Sequence, residues 1–159
     1  MPNVLFLCTG NSARSILGEV LLNHLGGGAW RGWSAGSNPV GRVNPYAVAL
    51  LVERGYAVEG LSSKRWDVFA GPGAPAMDVI ITVCDAAAGE ACPVWPGHPL
   101  TSHWGMPDPA AAPDAASARA AFAATCDTLH RRLSALVALP FSDMDTVVSK
   151  AALDRIGTS

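Results

Sequence analysis

The first 25 residues constrain the fold most. Asn3-Val4-Leu5-Phe6-Leu7-Cys8 is a compact apolar run, Thr9-Gly10-Asn11-Ser12 follows at once, and Ile16, Leu17, Val20, Leu21, Leu22 and Leu25 then recur at helical spacing. This reads as strand, tight loop and helix in direct succession. Gly26-Gly27-Gly28 stops the helix, and Trp30 to Ala35 reads as a second strand. Asn44 before Pro45 opens a second helix with Val48, Leu51 and Val52 on its apolar side. Alternating β and α segments specify an α/β domain.

Further along, Gly60, Gly71, Pro72, Gly73 and Pro75 break residues 60–77 into loop, with room for one short helical turn at Trp66 to Phe69. Asp78 to Val83 is the next clear strand, β-branched enough to be covered on both faces. From Cys84 to Pro113 the chain is rich in Pro, Gly, Trp and His, and an irregular stretch of that length in a compact domain usually carries function. Ser117 to Leu139 predicts a long Ala-rich helix ended by Pro140, and residues 143–156 a last short one. The expectation is one domain over residues 1–159.

Composition narrows the function classes. With 11 basic and 13 acidic side chains, and 15% charged residues, no basic stripe is available for a phosphate backbone, so a nucleic-acid partner is not expected. No apolar run approaches the ~20 residues of a membrane span. Met1-Pro2-Asn3 leads straight into a strand without the pattern of a signal peptide, so the expected compartment is the cytoplasm. Four cysteines in a reducing compartment are structural, catalytic or metal-bound rather than a static disulfide framework.

Cys8 and Arg14 stand six apart between a strand and a helix N-terminus. Loop amides and the helix dipole together make a nest for a tetrahedral oxyanion from Thr9, Gly10, Asn11, Ser12, Ala13 and Arg14. Gly10 permits the turn, and Arg14 can grip two oxygens in a fork that Lys lacks. The same positive potential should make Cys8 a thiolate at neutral pH, with Ser15 facing the sulfur as a hydrogen-bond donor. Attack on an oxyanion also needs an acid for the leaving oxygen, and Asp108, between Pro107 and Pro109, is the candidate. The bland alternative for Asp108 is a turn cap.

Cys84 follows the strand ending at Val83, so in a parallel sheet it lies on the same carboxyl edge as Cys8. The segment Asp85 to Ala91 reads as helix when reduced, which would hold Cys84 and Cys92 ~12 Å apart. A disulfide tolerates only about 4.4–6.8 Å between Cα atoms, so pairing them would require unwinding, with Gly89 the weak point. A zinc site from Cys84, Cys92, His98 and His103 competes, but neither pair has the short spacing of structural zinc sites. Cys126 reads as a small core residue of the Ala-rich helix, and His24 and His130 as surface or boundary residues.

Together these residues resemble a known family, the arsenate reductases built on the low-molecular-weight protein tyrosine phosphatase fold. The resemblance rests on Val4 to Ser15, Trp33-Ser34-Ala35-Gly36, Val83-Cys84-Asp85, Cys92-Pro93, His103-Trp104-Gly105 and Asp108-Pro109-Ala110. It implies a three-layer α/β/α fold with a four-stranded parallel sheet. It also implies that Cys8 attacks arsenate, Asp108 protonates the departing oxygen, and Arg14 and the loop amides hold the rest. Cys84 would then attack Cys8 and release arsenite, and Cys92 would move the disulfide outward to Cys84–Cys92, where thioredoxin reduces it. No cofactor or metal is implied, and the expected species is a monomer.

Two positions depart from the thioredoxin-coupled branch. Related enzymes bind potassium through residues resembling Asn11, Glu19, Ser34 and an acidic residue where this chain has Lys64; the expectation is that the Lys64 ammonium replaces the ion beside Glu19. The Cys84–Cys92 interval is one residue longer than that branch suggests. A low-molecular-weight thiol such as glutathione or mycothiol, with a glutaredoxin-type partner, is therefore an alternative reductant. Two other readings compete: a phosphotyrosine phosphatase, for which Cys8, Arg14 and Asp108 suffice, and a non-enzymatic oxyanion or redox sensor.

Overall fold

The structure, a computed structural model, describes residues 1–88, 95 and 97–159. Four strands, β1 (Asn3–Leu7), β2 (Arg31–Ala35), β3 (Val79–Thr82) and β4 (Leu100–His103), form one parallel sheet in the order β2-β1-β3-β4. Among the described residues the α-helices are α1 (Arg14–Leu25), α2 (Pro45–Glu53), α3 (Asp85–Ala88), α4 (Ala115–Val137) and α5 (Thr146–Gly157). This is the expected α/β architecture, with the expected four-stranded parallel sheet.

The apolar content of β1 and β3 follows from their central position. Val4 through Leu7 and Val79 through Ile81 are all buried, as strands covered on both faces must be. Alternation then sorts the side chains. Val4, Phe6, Val79 and Ile81 pack with α1, α2, α4 and α5, whereas Leu5, Leu7 and Ile80 pack with Trp66, Phe69, Met77 and Trp95. The layer over this second face is thinner, built in part from the 3₁₀ turn Trp66–Phe69 anticipated from the sequence.

Helix ends follow the capping residues. Asn44 accepts a hydrogen bond from Tyr46 N at 2.9 Å with Pro45 in the first turn, Asp114 caps α4 through Ser117 N, and Asp145 caps α5 through Val148 N. α1 differs: it begins at Arg14 behind Ala13, with no side-chain cap. Its first N–H groups are therefore left for another acceptor.

The register places the site. Leu7 lies opposite both Ala35 and Thr82, and Thr82 lies opposite His103, so the four strands end level at the carboxyl edge. Cys8, Gly36, Cys84 and the Trp104–Met106 segment all leave the sheet there, where open α/β sheets bind ligands. Within the stretch read as irregular from Cys84 to Pro113, the described residues include the start of the expected helix, α3, and two elements that were not expected, β4 and a 3₁₀ turn at Pro109–Ala111.

Candidate active site

The loop after β1 turns its carbonyls outward. Thr9 O accepts from Asn38 N at 3.0 Å, Gly10 O from Val40 N at 3.0 Å and Ser63 Oγ at 3.1 Å, and Ser12 O from Asn44 N at 2.8 Å. With those oxygens committed to the 38–44 segment, the intervening N–H groups are left on the cavity side, and the Gly10 N–H reaches the Cys8 sulfur. Gly36 makes the close approach possible: a Cβ there would drive into the Cys8 and Thr9 carbonyl oxygens.

Asn11 holds the loop from within. It is fully buried with φ of +43°, a left-handed conformation that Asn tolerates better than most residues. Its Nδ2 donates to Ser15 Oγ at 2.8 Å and its Oδ1 accepts from Lys64 N at 2.9 Å. Ser15, expected to serve the sulfur, is thus buried and accepts from Asn11. Behind it, Ser34 Oγ donates to Glu19 Oε1 at 2.6 Å, and Lys64 Nζ lies 3.9 Å from the same oxygen while donating to the Ser34 and Ser62 carbonyls. Asn11, Glu19, Ser34 and Lys64 therefore form one support under the loop, with an ammonium beside Glu19. Burial lowers the Lys64 pKa and Glu19 partly restores it.

Arg14 crosses the mouth of the loop. Its Nη1 donates to Met106 O at 2.8 Å, Nη2 stands 3.8 Å from Asp108 Oδ1, and its buried Nε has no partner among the described residues. A buried guanidinium N–H without an acceptor beside a nest of amides is what a tetrahedral oxyanion would satisfy. Asp108 is half exposed, and it also caps the turn at Pro109–Ala111 by accepting from Ala110 N at 3.0 Å. The turn-cap and active-site readings of Asp108 are thus compatible. The cavity of about 620 Å³ is lined by Cys8 to Arg14, Cys84, Asp85 and Met106 to Asp108, among other residues.

Cys84 is buried and lines the same cavity as Cys8, with its sulfur accepting from Ala87 N at 3.4 Å and lying 3.8 Å from Thr9 Oγ1. Hydrogen bonding with Cys84, followed by burial, pushes the Cys8 thiol well above its ordinary range, opposed by Arg14. The same bond brings Cys84 down to about 5. This departs from the expectation that Cys8 is the resting thiolate. Two buried sulfurs lining one cavity do not both ionise, and the Thr9 and Ala87 donors hold the charge on Cys84.

Three contributors were not among the expected site residues: the Met106 carbonyl that anchors Arg14, the Asp85 side of the cavity, and the close approach of Gly36 to the loop, although Gly36 and Asp85 lie in segments that carry the family resemblance. His103 fixes Asp85, its Nε2 lying 2.8 Å from Asp85 Oδ1 and its Nδ1 2.8 Å from Thr82 Oγ1. Cys92 lies outside the described residues, as does the second half of the helix expected over Asp85 to Ala91. Among the described residues no group of three or more His, Cys, Asp or Glu side chains could hold a metal. None of their helices is long and apolar enough to cross a membrane. Cys126 is buried in α4 and His24 stacks edge-on against Tyr56 at 4.8 Å.

Comparison with known proteins agrees with this geometry. An arsenate reductase of Bacillus subtilis is 37% identical over 109 residues, covering 69% of this chain and 75% of its own. The crystal structure of an arsenate reductase from Archaeoglobus fulgidus superposes with a TM-score of 0.66 at 27% identity, over 86% of this chain and 99% of that one. A thioredoxin-dependent arsenate reductase of Corynebacterium glutamicum does so with a TM-score of 0.64 at 28% identity, over 86% of this chain and 60% of that one. The family model for low molecular weight phosphotyrosine protein phosphatase matches residues 3–150, and the chain belongs to that family.

Proposed function

We propose that this chain is an arsenate reductase that converts arsenate to arsenite by a thiol relay. The observation that carries the reading is that Cys84 and Cys8 line one cavity together with the loop Thr9 to Arg14. A phosphatase has no use for a second thiol at that place.

Arsenate seats in the loop with its oxygens on the amides of Gly10 to Arg14 and on Arg14 Nε, while Met106 O and Asp108 orient the guanidinium. As the Cys8 sulfur bonds to arsenic, its proton passes to Cys84. Asp108, protonated at that step, gives its proton to the departing oxygen, which leaves as water. Cys84 then attacks the Cys8 sulfur. The S–As bond breaks with its electron pair going to arsenic, As(V) becomes As(III), and the Cys84 proton passes to an arsenite oxygen. The product is arsenite with a Cys8–Cys84 disulfide. Cys92 takes over the bond with Cys84 and frees Cys8, and thioredoxin reduces the outer disulfide; glutathione or mycothiol with a glutaredoxin-type partner is the alternative donor.

Phosphotyrosine hydrolysis is the second reading, favoured by the family model itself. Against it, no aromatic side chain is among the described residues lining the cavity, and Trp95 and Trp104 are buried in the core. The experiment is arsenate-dependent oxidation of thioredoxin by the wild type and by Cys84→Ser and Cys92→Ser. The relay predicts that both substitutions abolish turnover. A phosphatase oxidises no thioredoxin and hydrolyses p-nitrophenyl phosphate equally well with both substitutions, and a sensor shows neither turnover.

A further inference from the structure

One imidazole holds the chain on both sides of Cys84. The pairing of β3 with β1 reaches Val83, whose N–H donates to Leu7 O at 2.9 Å, and Cys84 is the next residue. Before it, Thr82 Oγ1 lies 2.8 Å from His103 Nδ1; after it, Asp85 Oδ1 lies 2.8 Å from His103 Nε2. His103 is itself fixed by the sheet, standing opposite Thr82 at the end of β4, where Trp104 N donates to Thr82 O at 2.7 Å. The imidazole is thus a strut that spans Val83 and Cys84 and ties the start of α3 back to the end of β3.

The bonding does not depend on the charge of the ring. A carboxylate only accepts, so Nε2 carries a hydrogen, and Nδ1 then accepts from the Thr82 hydroxyl in the neutral ring or donates to it in the cation. Gly105 leaves room for the pair, since a Cβ there would stand 2.8 Å from His103 Nε2 and 3.1 Å from Asp85 Oδ1. The side chains of His103 and Asp85 are 39% and 96% exposed, and pairs so exposed add little to stability. Geometry is what the strut supplies. A first helical turn is unfavourable by itself, because one hydrogen bond must fix several dihedrals, so α3 needs a tether to begin where it does. From that turn the Ala87 N–H donates to the Cys84 sulfur at 3.4 Å.

We propose that His103 is a positioning residue for Cys84: by bridging Thr82 and Asp85, its imidazole aims the Cys84 sulfur into the cavity that Cys8 lines. A small misplacement of a reacting group costs a large factor in rate, so a strut of little stability still governs the step between the two sulfurs. The positioning stands on the geometry alone; its effect on turnover rests on the reductase reading.

The test compares His103→Asn, His103→Gln, Asp85→Ala and the double variant His103→Asn/Asp85→Ala, all with Cys92→Ser so that the chemistry stops at the Cys8–Cys84 disulfide. The amide of Gln puts a donor near the place of Nε2, within reach of Asp85, whereas that of Asn falls short. Closure of the disulfide after arsenate is added, read by quenching and mass spectrometry, should slow at least about tenfold in His103→Asn and in Asp85→Ala. The double variant should be no slower than either, because both break one strut, and His103→Gln should recover most of the rate. The Kd of inorganic phosphate should be unchanged in His103→Asn. Asp85→Ala breaks the strut at an exposed side chain, which keeps the test decisive where His103→Asn fails to fold. Single variants slowed less than about tenfold, a double variant slowed by the product of the two factors, or His103→Gln no faster than His103→Asn overturns the proposal. A phosphate Kd that rises in step with the loss of rate also overturns it, since that marks a general loosening.

A second readout needs no arsenate. Iodoacetamide labelling of Cys84 in His103→Asn should gain at least about tenfold from pH 6 to 8, because the Ala87 N–H no longer holds the charge on the sulfur, and a flat profile there overturns the proposal. Labelling that changes as expected in a protein that makes no arsenite refutes the reductase reading and leaves the strut standing.

Discussion

Replacing Lys64 by Met removes the ammonium from beside Glu19 while keeping most of the side-chain volume. At the observed 3.9 Å, two unit charges attract by about 4 kcal/mol at an effective dielectric constant near 20. Part of that is offset by the desolvation and ordering of both side chains. Exposed pairs retain ~0.2–1 kcal/mol, whereas breaking a fully buried pair costs ~3–5 kcal/mol. Lys64 and Glu19, with side chains 25% and 17% exposed, lie between those limits, and about 2 kcal/mol is the expected loss. For a chain of this length that lowers Tm by ~4–8 °C. Thermal unfolding followed by circular dichroism, in sodium and then in potassium chloride, reads it directly. The wild type should melt and turn over alike in both salts, because a covalent cation occupies the place, and the variant should melt lower in sodium. A wild type whose turnover rises markedly on exchanging sodium for potassium, or a Lys64→Met protein with the wild-type Tm, refutes the reasoning.

Other perturbations reach the chemistry itself. Arg14→Lys keeps the charge but loses the fork, and single-turnover rates with arsenate should fall about 10²–10³-fold; a fall below tenfold would remove Arg14 from the oxyanion site. Alkylation by iodoacetamide, mapped by peptide, should label Cys84 at a rate that is flat from pH 6 to 8 and declines as pH falls through about 5, where the thiolate is protonated. An ordinary thiol would instead gain about tenfold per pH unit over that range, and such a slope at Cys84 would contradict its lowered pKa.

Much of this site was legible because the chemistry is written in contiguous residues. Cys8 to Arg14 form one loop, and a strand before it with a helix after it leaves little choice of geometry. The α2 cap at Asn44-Pro45 and the turn at Trp66 to Phe69 were legible for the same local reason. β4 was not legible from its own residues. Leu100-Thr101-Ser102-His103 carries one large apolar residue because it is an edge strand buried mainly at Ser102, so period-2 alternation is nearly silent. The start of α1 was placed by the loop before it rather than by a capping residue, since Ala13 offers no side-chain acceptor. The placement of Cys84 in the same cavity as Cys8 depends on two strand ends standing level.

The most direct measurement is the mapping of disulfides by mass spectrometry after one turnover with arsenate. The account predicts a Cys8–Cys84 bond in Cys92→Ser, and in the wild type a Cys84–Cys92 bond with Cys8 free. Arsenite produced stoichiometrically while Cys84 remains a free thiol would contradict it.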